Sequence, residues 1–217
     1  MTLVEVLRNA IVASEDQRFW RHHGFDPIGI TRALWDSLWA GRMGAAGGAS
    51  TITQQVSRML FLTREFTLSR KIKEAILAFK IERAYTKEEI LTYYCNLLHF
   101  AHGLYGVQAA SEYYFDKDVR NLKLEEAALM VGLAPSPDNY SPYNNPEASL
   151  RRRNIVLQRM ENEKFITPEQ AEQARNMPLQ LRHRGPSGNI APYFVEEVRQ
   201  YLEQKYYLSV LSISSNS

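Results

Sequence analysis

The chain has 217 residues, of which 45% are hydrophobic and 23% charged, a composition typical of a globular domain that excludes disordered, collagen-like and low-complexity chains. Its net charge of +2 is too small to indicate a nucleic-acid partner, so any anion site must be local. The single cysteine, Cys95, excludes an internal disulfide and a cysteine-based zinc cluster.

Apolar residues recur at helical spacings along the chain, and no segment shows the sustained alternation of a half-buried strand. The sequence therefore predicts an all-α fold. Helices are predicted near residues 3–13, 27–40, 51–61, 67–84, 87–97, 106–115, 122–134, 146–164 and 168–177.

Capping signals mark several of these helix starts. Asp26, Asn145 and Thr167 each precede a proline, a residue that favours the first position of a helix. Thr51, Thr86 and Thr167 are each followed three residues later by Gln or Glu, the capping-box pattern that satisfies free backbone donors. We therefore expect short helices with well-defined N-termini.

The remaining segments connect or follow these helices. Four glycines within residues 41–48 predict a flexible connector, because glycine has a high ordering cost. Beyond Pro178 the chain turns polar and then offers one more amphipathic helix near 192–206. We predict a domain over 3–178, followed by a connector helix and tail over 179–217.

We expect neither a membrane anchor nor a signal peptide in this chain. The longest stretch near its middle that is free of both charged and strongly polar residues, 127–135, is far shorter than the ~18–20 residues that a membrane span requires. The N-terminus lacks the basic region of a signal peptide, and Glu5 and Arg8 interrupt its apolar residues.

The predicted helix at 67–84 has two chemically distinct sides. Its apolar side contains Leu68, Ile72, Ala75, Ile76 and Phe79, and its charged side contains Arg70, Lys71 and Glu74. We expect the apolar side to face the core and the charged side to face solvent with weak internal ion pairs. The alternative is that these cations, with Arg58 and Arg64 of the preceding segment, form a phosphate site.

Two segments earlier in the chain also suggest chemistry. Ser50 and Thr51 begin a helix after a glycine pair, where free amides and the helix dipole favour an anion, although simple capping explains them equally. Glu15 and Asp16 precede Phe19, Trp20, His22 and His23. A carboxylate beside aromatic rings can acquire a raised pKa suited to general-base catalysis, and ordinary surface acids are the alternative.

An apolar stripe containing Trp35 and Trp39 lies on the predicted helix at 27–40. Core packing is the simplest interpretation of this stripe. The alternative is contact with lipid headgroups, since tryptophan favours the membrane interface.

Five motifs follow one another along the chain. They are Glu15-Asp-Gln-Arg-Phe19-Trp-Arg-His22-His-Gly24-Phe-Asp26, Gly48-Ala-Ser50-Thr-Ile-Thr-Gln54-Gln55, Arg70-Lys71-Ile-Lys-Glu74, Lys87-Glu-Glu-Ile90-Leu91-Thr-Tyr-Tyr94-Cys95-Asn96 and Arg152-Arg153-Asn-Ile-Val156-Leu157. In this order they resemble the motifs of the family 51 glycosyltransferases, the peptidoglycan-polymerising domain of bifunctional penicillin-binding proteins and monofunctional transglycosylases. Tyr94, Asn96, Arg152 and Arg153 are interpreted as scaffold.

The resemblance implies a lysozyme-like, two-lobed helical fold with a mobile jaw that faces the membrane. It implies that the 4-hydroxyl of one lipid II molecule attacks the anomeric carbon of a growing glycan strand, with inversion and release of undecaprenyl pyrophosphate. The implied partners are lipid II, the glycan strand, the outer face of the bacterial cytoplasmic membrane and cell-wall synthesis proteins, with no nucleic acid.

The resemblance also implies roles for individual residues. Glu15 matches the general base and Glu74 the second family carboxylate, which either orients Lys71 or holds a divalent ion, Mg²⁺ or Mn²⁺; no organic cofactor is implied. The implied substrate-binding residues are Ser50, Thr51, Gln54, Gln55, Arg58, Arg70 and Lys71.

The chain departs from the family pattern at Phe66, where many members carry an arginine, and it contains no Ser-x-x-Lys or Lys-Thr-Gly motif of a transpeptidase. Two alternatives to an active polymerase follow. One is a glycan-cleaving enzyme of the same lysozyme-like class. The other is a non-catalytic remnant of a truncated penicillin-binding protein that binds lipid II or a protein partner.

Overall fold

A computed structural model of the chain describes residues 5–29, 31, 35, 50–61 and 68–181. In this part of the chain the fold is helical, as predicted. The helices are α1 (Glu5–Glu15), α2 (Ile52–Phe61), α3 (Leu68–Ala84), α4 (Lys87–Leu97), α5 (Val107–Phe115), α6 (Leu124–Leu133), α7 (Pro146–Asn162) and α8 (Pro168–Asn176).

Short elements connect these helices. Single 3-10 turns occupy Phe19–Arg21, Ala101–Gly103 and Val119–Asn121. A hairpin, which the sequence did not predict, pairs β1 (His99–Phe100) with β2 (Leu104–Tyr105) in antiparallel register. Strands of two residues are too short to produce a detectable alternation. Residues 27–29, 31 and 35 are helical, within the predicted helix at 27–40.

The core forms where α1, α6 and α7 pack together, while α2 packs on α3 and α4. Every residue of α6 from Glu126 to Leu133 is buried, as expected for a helix that is apolar on all sides. Gly132 allows a close approach of α6 to α7, because a Cβ atom there would lie 3.1 Å from the backbone nitrogen of Arg153. A side chain at this position would therefore push the two central helices apart.

The predicted caps are present. Thr86 and Thr167 form reciprocal capping boxes with Glu89 and Gln170, and Asn145 caps α7 through the Ala148 amide at 3.3 Å. These bonds satisfy backbone donors that a helix start leaves free.

Asp26 is held by the Arg18 side chain, whose Nε donates to Oδ2 at 3.1 Å. Burial raises the pKa of the Asp26 carboxyl. Hydrogen bonds from Arg18 and from the Gly29 amide, together with the charge of Arg18, outweigh burial and lower the pKa below its usual 3.8. The Arg18–Asp26 contact closes the segment that follows α1 into a compact loop.

The scaffold interpretation of Arg153 agrees with its contacts. This residue is 2% exposed, and its guanidinium donates to the carbonyl oxygens of Met177 and Arg175, both at 2.6 Å. Arg153 therefore satisfies backbone carbonyls at the C-terminus of α8 and links that end of α8 to α7, the helix on which Arg153 lies.

The expected orientation of α3 is wrong. Arg70 and Glu74, predicted to face solvent, are 6% and 0% exposed, whereas Ile72, Ile76 and Phe79, predicted to face the core, are 55%, 54% and 53% exposed. The reason is that α3 turns its charged side towards α2: Ser57 on α2, itself fully buried, donates to the backbone oxygen of Glu74 at 3.2 Å. Buried charges are tolerated here because they pair with one another.

The prediction that Trp35 packs in the core is also wrong, because this residue is 66% exposed. Trp39, the glycine-rich segment 41–48 and the predicted helix at 192–206 lie outside the described residues. The two-lobed, lysozyme-like arrangement with a jaw stays a prediction. None of the helices within the described ranges combines the length and the apolar content needed to span a bilayer.

Candidate active site

The end of α1 meets the beginning of α2, and this junction holds Glu15. Glu15 is the last residue of α1 and is half-buried. Its Oε2 accepts a hydrogen bond from Nε2 of Gln55 at 3.0 Å. The amide of Gln55 therefore fixes one oxygen of the predicted base.

Asp16, the next residue, binds the first turn of α2 directly. Its Oδ2 accepts the backbone N–H of Ile52 at 3.0 Å and lies 2.9 Å from Nε2 of His22. A carboxylate at the N-terminus of a helix is stabilised by free amides and by the helix dipole. Sequence reasoning singled out Asp16 and His22 as possible catalytic groups but did not predict the contact with Ile52, since it joins segments 36 positions apart.

Thr51 and Gln54 form the cap of α2. The Thr51 backbone N–H donates to Oε1 of Gln54 at 3.0 Å, and the Gln54 N–H donates to Oγ1 of Thr51 at 3.1 Å. Thr51 also donates its hydroxyl to the Gly24 carbonyl at 2.8 Å. Both side chains are buried, at 2% and 7% exposure, so the capping interpretation holds for them, and substrate contact by either stays a prediction.

Gly24 brings the loop after α1 against α3. Its φ angle is +81°, and a Cβ atom on it would lie 2.9 Å from the backbone of Ala78. Only glycine fits this combination of positive φ and close approach without strain. The loop that carries His22 is thereby held between α2 and α3.

Lys71, Glu74 and Arg70 form the cationic side of the junction. Lys71 Nζ donates to Oε2 of Glu74 at 2.7 Å and to Oγ of Ser50 at 3.1 Å. Arg70 Nε lies 3.3 Å from Oε1 of Glu74. The Lys71 side chain is 46% exposed while that of Glu74 is 1% exposed, so the buried carboxylate holds a lysine whose ammonium group reaches solvent.

Arg58, a further predicted binding residue, lies in the last turn of α2. It is partly exposed, and among the described residues no carboxylate pairs with it at salt-bridge distance. Burial raises the pKa of the Tyr94 hydroxyl well above its usual value; the charge of Glu15 raises it further and that of Arg58 opposes this. Glu15 and Arg58 thus both act electrostatically on the buried Tyr94.

In this structure the Glu74 carboxylate is held between cationic side chains. Both of its carboxylate oxygens face a cationic side chain, Arg70 on one and Lys71 on the other. The described residues hold no cluster of three or more His, Cys, Asp or Glu side chains arranged for a metal. The geometry therefore favours the role of orienting Lys71, and the Mg²⁺ or Mn²⁺ expectation stays untested.

The structure brings several of the predicted site residues to the N-terminal end of α2. Glu15 binds Gln55, and Lys71 binds Ser50, so both lie at the N-terminal end of α2. Arg64 and Phe66 lie outside the described residues.

Comparison with known proteins decides the family. Residues 2–161 match the family model described as Transglycosylase. The chain belongs to the transglycosylase family. This confirms the family predicted from the five motifs and, with it, an enzyme of the transglycosylase class.

The relatives are longer proteins. Penicillin-binding protein 1A of Aquifex aeolicus (strain VF5) is 48% identical over 198 residues, which is 91% of this chain and 27% of that protein. Penicillin-binding protein 1A of Escherichia coli (strain K12) is 44% identical over 198 residues, 91% of this chain and 23% of that protein. The chain spans about a quarter of the length of these curated relatives.

Among solved structures, the 2.6 Å crystal structure of penicillin-binding protein 1A from Haemophilus influenzae matches with a TM-score of 0.41 and 28% sequence identity. The match covers 70% of this chain and 20% of that chain.

Proposed function

We propose that this chain is a peptidoglycan glycosyltransferase that polymerises lipid II and releases undecaprenyl pyrophosphate. The observation that carries the proposal is the shared attachment of Glu15 and Lys71 to the segment 50–55. This attachment sets a carboxylate and an exposed ammonium group beside one helix start. An attacking hydroxyl needs a base, and a departing diphosphate needs positive charge nearby.

Glu15 is suited to accept the proton of the attacking 4-hydroxyl. Gln55 binds its Oε2, and within the described ranges no donor contacts the other oxygen. One oxygen is therefore oriented by Gln55, and the other is available to take a proton. The attack on the anomeric carbon then proceeds from the side opposite the leaving diphosphate, which inverts the configuration.

Arg58, Arg70 and Lys71 supply the positive charge for the leaving group. Glu74 is the carboxylate that pairs with two of them, Arg70 and Lys71, so the group keeps an excess of positive charge. Arg58 and Lys71 reach solvent, and charge-assisted hydrogen bonds to phosphate oxygens are among the stronger ones. Arg70, being buried, contributes through its charge and through Glu74.

The exposed side of α3 supports a membrane surface as partner. Ile72, Ile76 and Phe79 are each about half exposed, and exposed basic residues, Lys73 and Arg83, flank them. A helix with an exposed apolar stripe flanked by cations suits the boundary between lipid headgroups and acyl chains. Lys71 lies one residue before this stripe, so the cationic group would sit close to lipid-borne pyrophosphate.

The test is polymerisation of purified lipid II in detergent, with glycan strands resolved by gel electrophoresis. We expect Glu15→Gln to lower the rate by about 10²–10⁴-fold, the usual worth of a general base, while thermal unfolding stays nearly unchanged. Glu5→Gln is the matched control, because Glu5 lies on the same helix and its side chain is 78% exposed. Full polymerisation by Glu15→Gln would refute the base assignment.

Two other outcomes would overturn the proposal itself. Tight lipid II binding without any glycan product would identify a non-catalytic binder. Release of soluble muropeptides from intact cell-wall sacculi would identify a glycan-cleaving enzyme instead.

A further inference from the structure

An arginine of α7 reaches the end of α1 that carries the proposed base. Nη1 of Arg159 donates a hydrogen bond to the backbone carbonyl oxygen of Ser14 at 2.7 Å, a contact between residues 145 positions apart. Arg159 lies in the last turn of α7, and Ser14 immediately precedes Glu15, the last residue of α1. The contact therefore joins α7 to the peptide unit on which the base is carried.

The Ser14 carbonyl is one that its own helix leaves free. A helical carbonyl accepts the N–H of the residue four positions on, and that residue, Arg18, lies beyond the end of α1. A cation is favoured at this end of a helix because the helix dipole is negative there. Arg159 supplies that cation, and within the described ranges no carboxylate pairs with it at salt-bridge distance. Its charge is thus directed at the end of α1 rather than at an acidic side chain.

Capping alone does not require this arginine. Water can satisfy a carbonyl at a helix end, and holding a long side chain in one geometry costs rotamer freedom. A water molecule would not link two helices, whereas a bond from α7 does. The other contacts of α1 with the core come from buried apolar residues such as Leu7 and Ile11, and apolar packing is non-directional. The hydrogen bond therefore adds a directional contact that fixes the end of α1 relative to α7.

Glu15 is consequently held from two different helices. Gln55 on α2 binds its Oε2 at 3.0 Å, while Arg159 on α7 binds the carbonyl of the preceding peptide unit. Because a peptide unit is planar, fixing the Ser14 carbonyl also fixes the N–H and the Cα of Glu15. The backbone of the base is thus fixed from α7 and one of its oxygens from α2.

We infer that Arg159 is a positioning residue for Glu15 and acts through the Ser14 carbonyl. The inference rests on the proposed function, since the base assignment of Glu15 belongs to it. In this role Arg159 touches neither sugar nor phosphate; it sets where the Glu15 carboxylate stands relative to the attacking hydroxyl. Helix α7, whose motif residues Arg152 and Arg153 are interpreted as scaffold, thereby acts on the reacting group.

The experiment compares variants of the 217-residue chain in lipid II polymerisation, with kcat expressed per folded protein. Arg159→Met keeps an apolar stem and removes the charge and the donors. Because a displacement of about 1 Å can cost ~100-fold in rate, we expect this variant to lower kcat by about 10–100-fold and to change KM by less than about twofold. Arg159→Gln, which is neutral and shorter, should behave in the same way and takes its place if Arg159→Met does not fold.

Arg159→Lys provides the conservative rescue. The contact with Ser14 uses a single donor, which an ammonium group can supply together with the positive charge. We expect this variant to retain most of the wild-type kcat. A kcat as low as that of Arg159→Met would contradict a role that depends on this hydrogen bond.

Two control variants separate positioning from charge and from stability. Arg151 lies on the same helix with a 67% exposed side chain, and Arg151→Met removes the same charge; it should leave kcat unchanged. Arg153→Lys weakens the link between α7 and α8, so it should lower the melting temperature and keep kcat per folded protein. The inference is wrong if Arg159→Met lowers kcat no more than Arg153→Lys does.

A second measurement does not depend on turnover. The backbone N–H of Glu15 shares a peptide unit with the Ser14 carbonyl, so its ¹H–¹⁵N signal reports the hydrogen bond at that oxygen. In Arg159→Met we expect this signal and that of the Gln55 side-chain amide to shift, and in Arg159→Lys both should return towards their wild-type positions. A cap with no positioning role would move the Glu15 signal alone. An unchanged Gln55 amide in Arg159→Met would therefore overturn the inference.

The two proposals fail in different ways. If the wild-type chain forms no glycan, the proposed function fails, and the Glu15 and Gln55 signals alone decide the positioning role. If the wild type polymerises lipid II and Arg159→Met matches its kcat, the positioning role fails and the proposed function stands.

Discussion

The apolar stripe of α3 offers a quantitative test of how this helix is oriented. We consider replacing Ile72, Ile76 and Phe79 together by glutamine, which is at least as favourable in a helix as Ile or Phe. The three residues are 55%, 54% and 53% exposed. The replacement therefore removes apolar surface that the folded chain presents to its surroundings.

The magnitude follows from the exposed area. Complete burial of a side chain of this size is worth about 1.5–3 kcal/mol, so covering the exposed half is worth about 1 kcal/mol for each residue. The three residues together then contribute about 3 kcal/mol to membrane binding. Because ~1.4 kcal/mol corresponds to a factor of ten, the triple variant should bind membranes roughly 100-fold more weakly.

The assay is co-sedimentation with vesicles of phosphatidylethanolamine and phosphatidylglycerol, at constant salt. The single variants Ile76→Gln and Ile155→Gln form a matched pair. Ile155 is 41% exposed on α7, a helix that packs against α1, α6 and α8. We expect Ile76→Gln to weaken vesicle binding about fivefold and Ile155→Gln to leave it unchanged.

Unfolding in urea separates this orientation of α3 from the opposite one. Exposed substitutions usually change stability by no more than about 0.5 kcal/mol each, whereas polar replacement of core residues costs about 2–5 kcal/mol each. A loss of several kcal/mol on Ile76→Gln would show that this side of α3 is buried, and equal vesicle binding by all variants would refute a membrane-facing role.

Three further predictions follow from buried or shifted charges. Glu74→Ala should lower the free energy of unfolding by about 3–5 kcal/mol, because it breaks the buried ion pair between Arg70 and Glu74; urea unfolding measures this, and Glu74→Leu combined with Arg70→Met should recover most of the loss. Arg153→Lys should cost about 1–3 kcal/mol in the same assay, because one ammonium group cannot reproduce the geometry of two bonds to carbonyls at the end of α8; an unchanged midpoint would contradict this. The pKa of Asp26 is lower in the folded chain than in the unfolded chain. Its ionised carboxylate therefore stabilises the fold at any pH above the unfolded pKa, and this stabilisation is lost as the pH falls through the lower, folded pKa. Asp26→Asn should therefore weaken the acid dependence of the melting temperature below about pH 4, and an identical pH profile would refute the assignment.

The sequence by itself determined the local structure of this chain. Helix α4 occupies Lys87–Leu97 as predicted, and α8 occupies Pro168–Asn176, one residue short of its prediction. These elements are predictable because capping residues and proline act on their own backbone, within about one turn. The family was also recoverable, since five motifs lie in the correct order along the chain.

Only the tertiary structure decided which sides of the helices meet. In α3 the periodicity separated charged from apolar residues correctly, but it could not say which side faces the protein. The usual preference for burying apolar residues predicted that the apolar side of α3 faces the core, and this prediction is wrong. The charged side is buried instead because Arg70 and Glu74 neutralise each other against α2, which removes much of the free-energy cost of burying them.

The same holds for the candidate site. Glu15, Gln55, Lys71 and Ser50 were each predicted from motifs, but their pairing depends on how α1, α2 and α3 pack. The contact of Asp16 with the Ile52 amide spans 36 positions, so no local pattern encodes it. Long-range hydrogen bonds of this kind arise only when the packed helices bring a free helix start against a carboxylate.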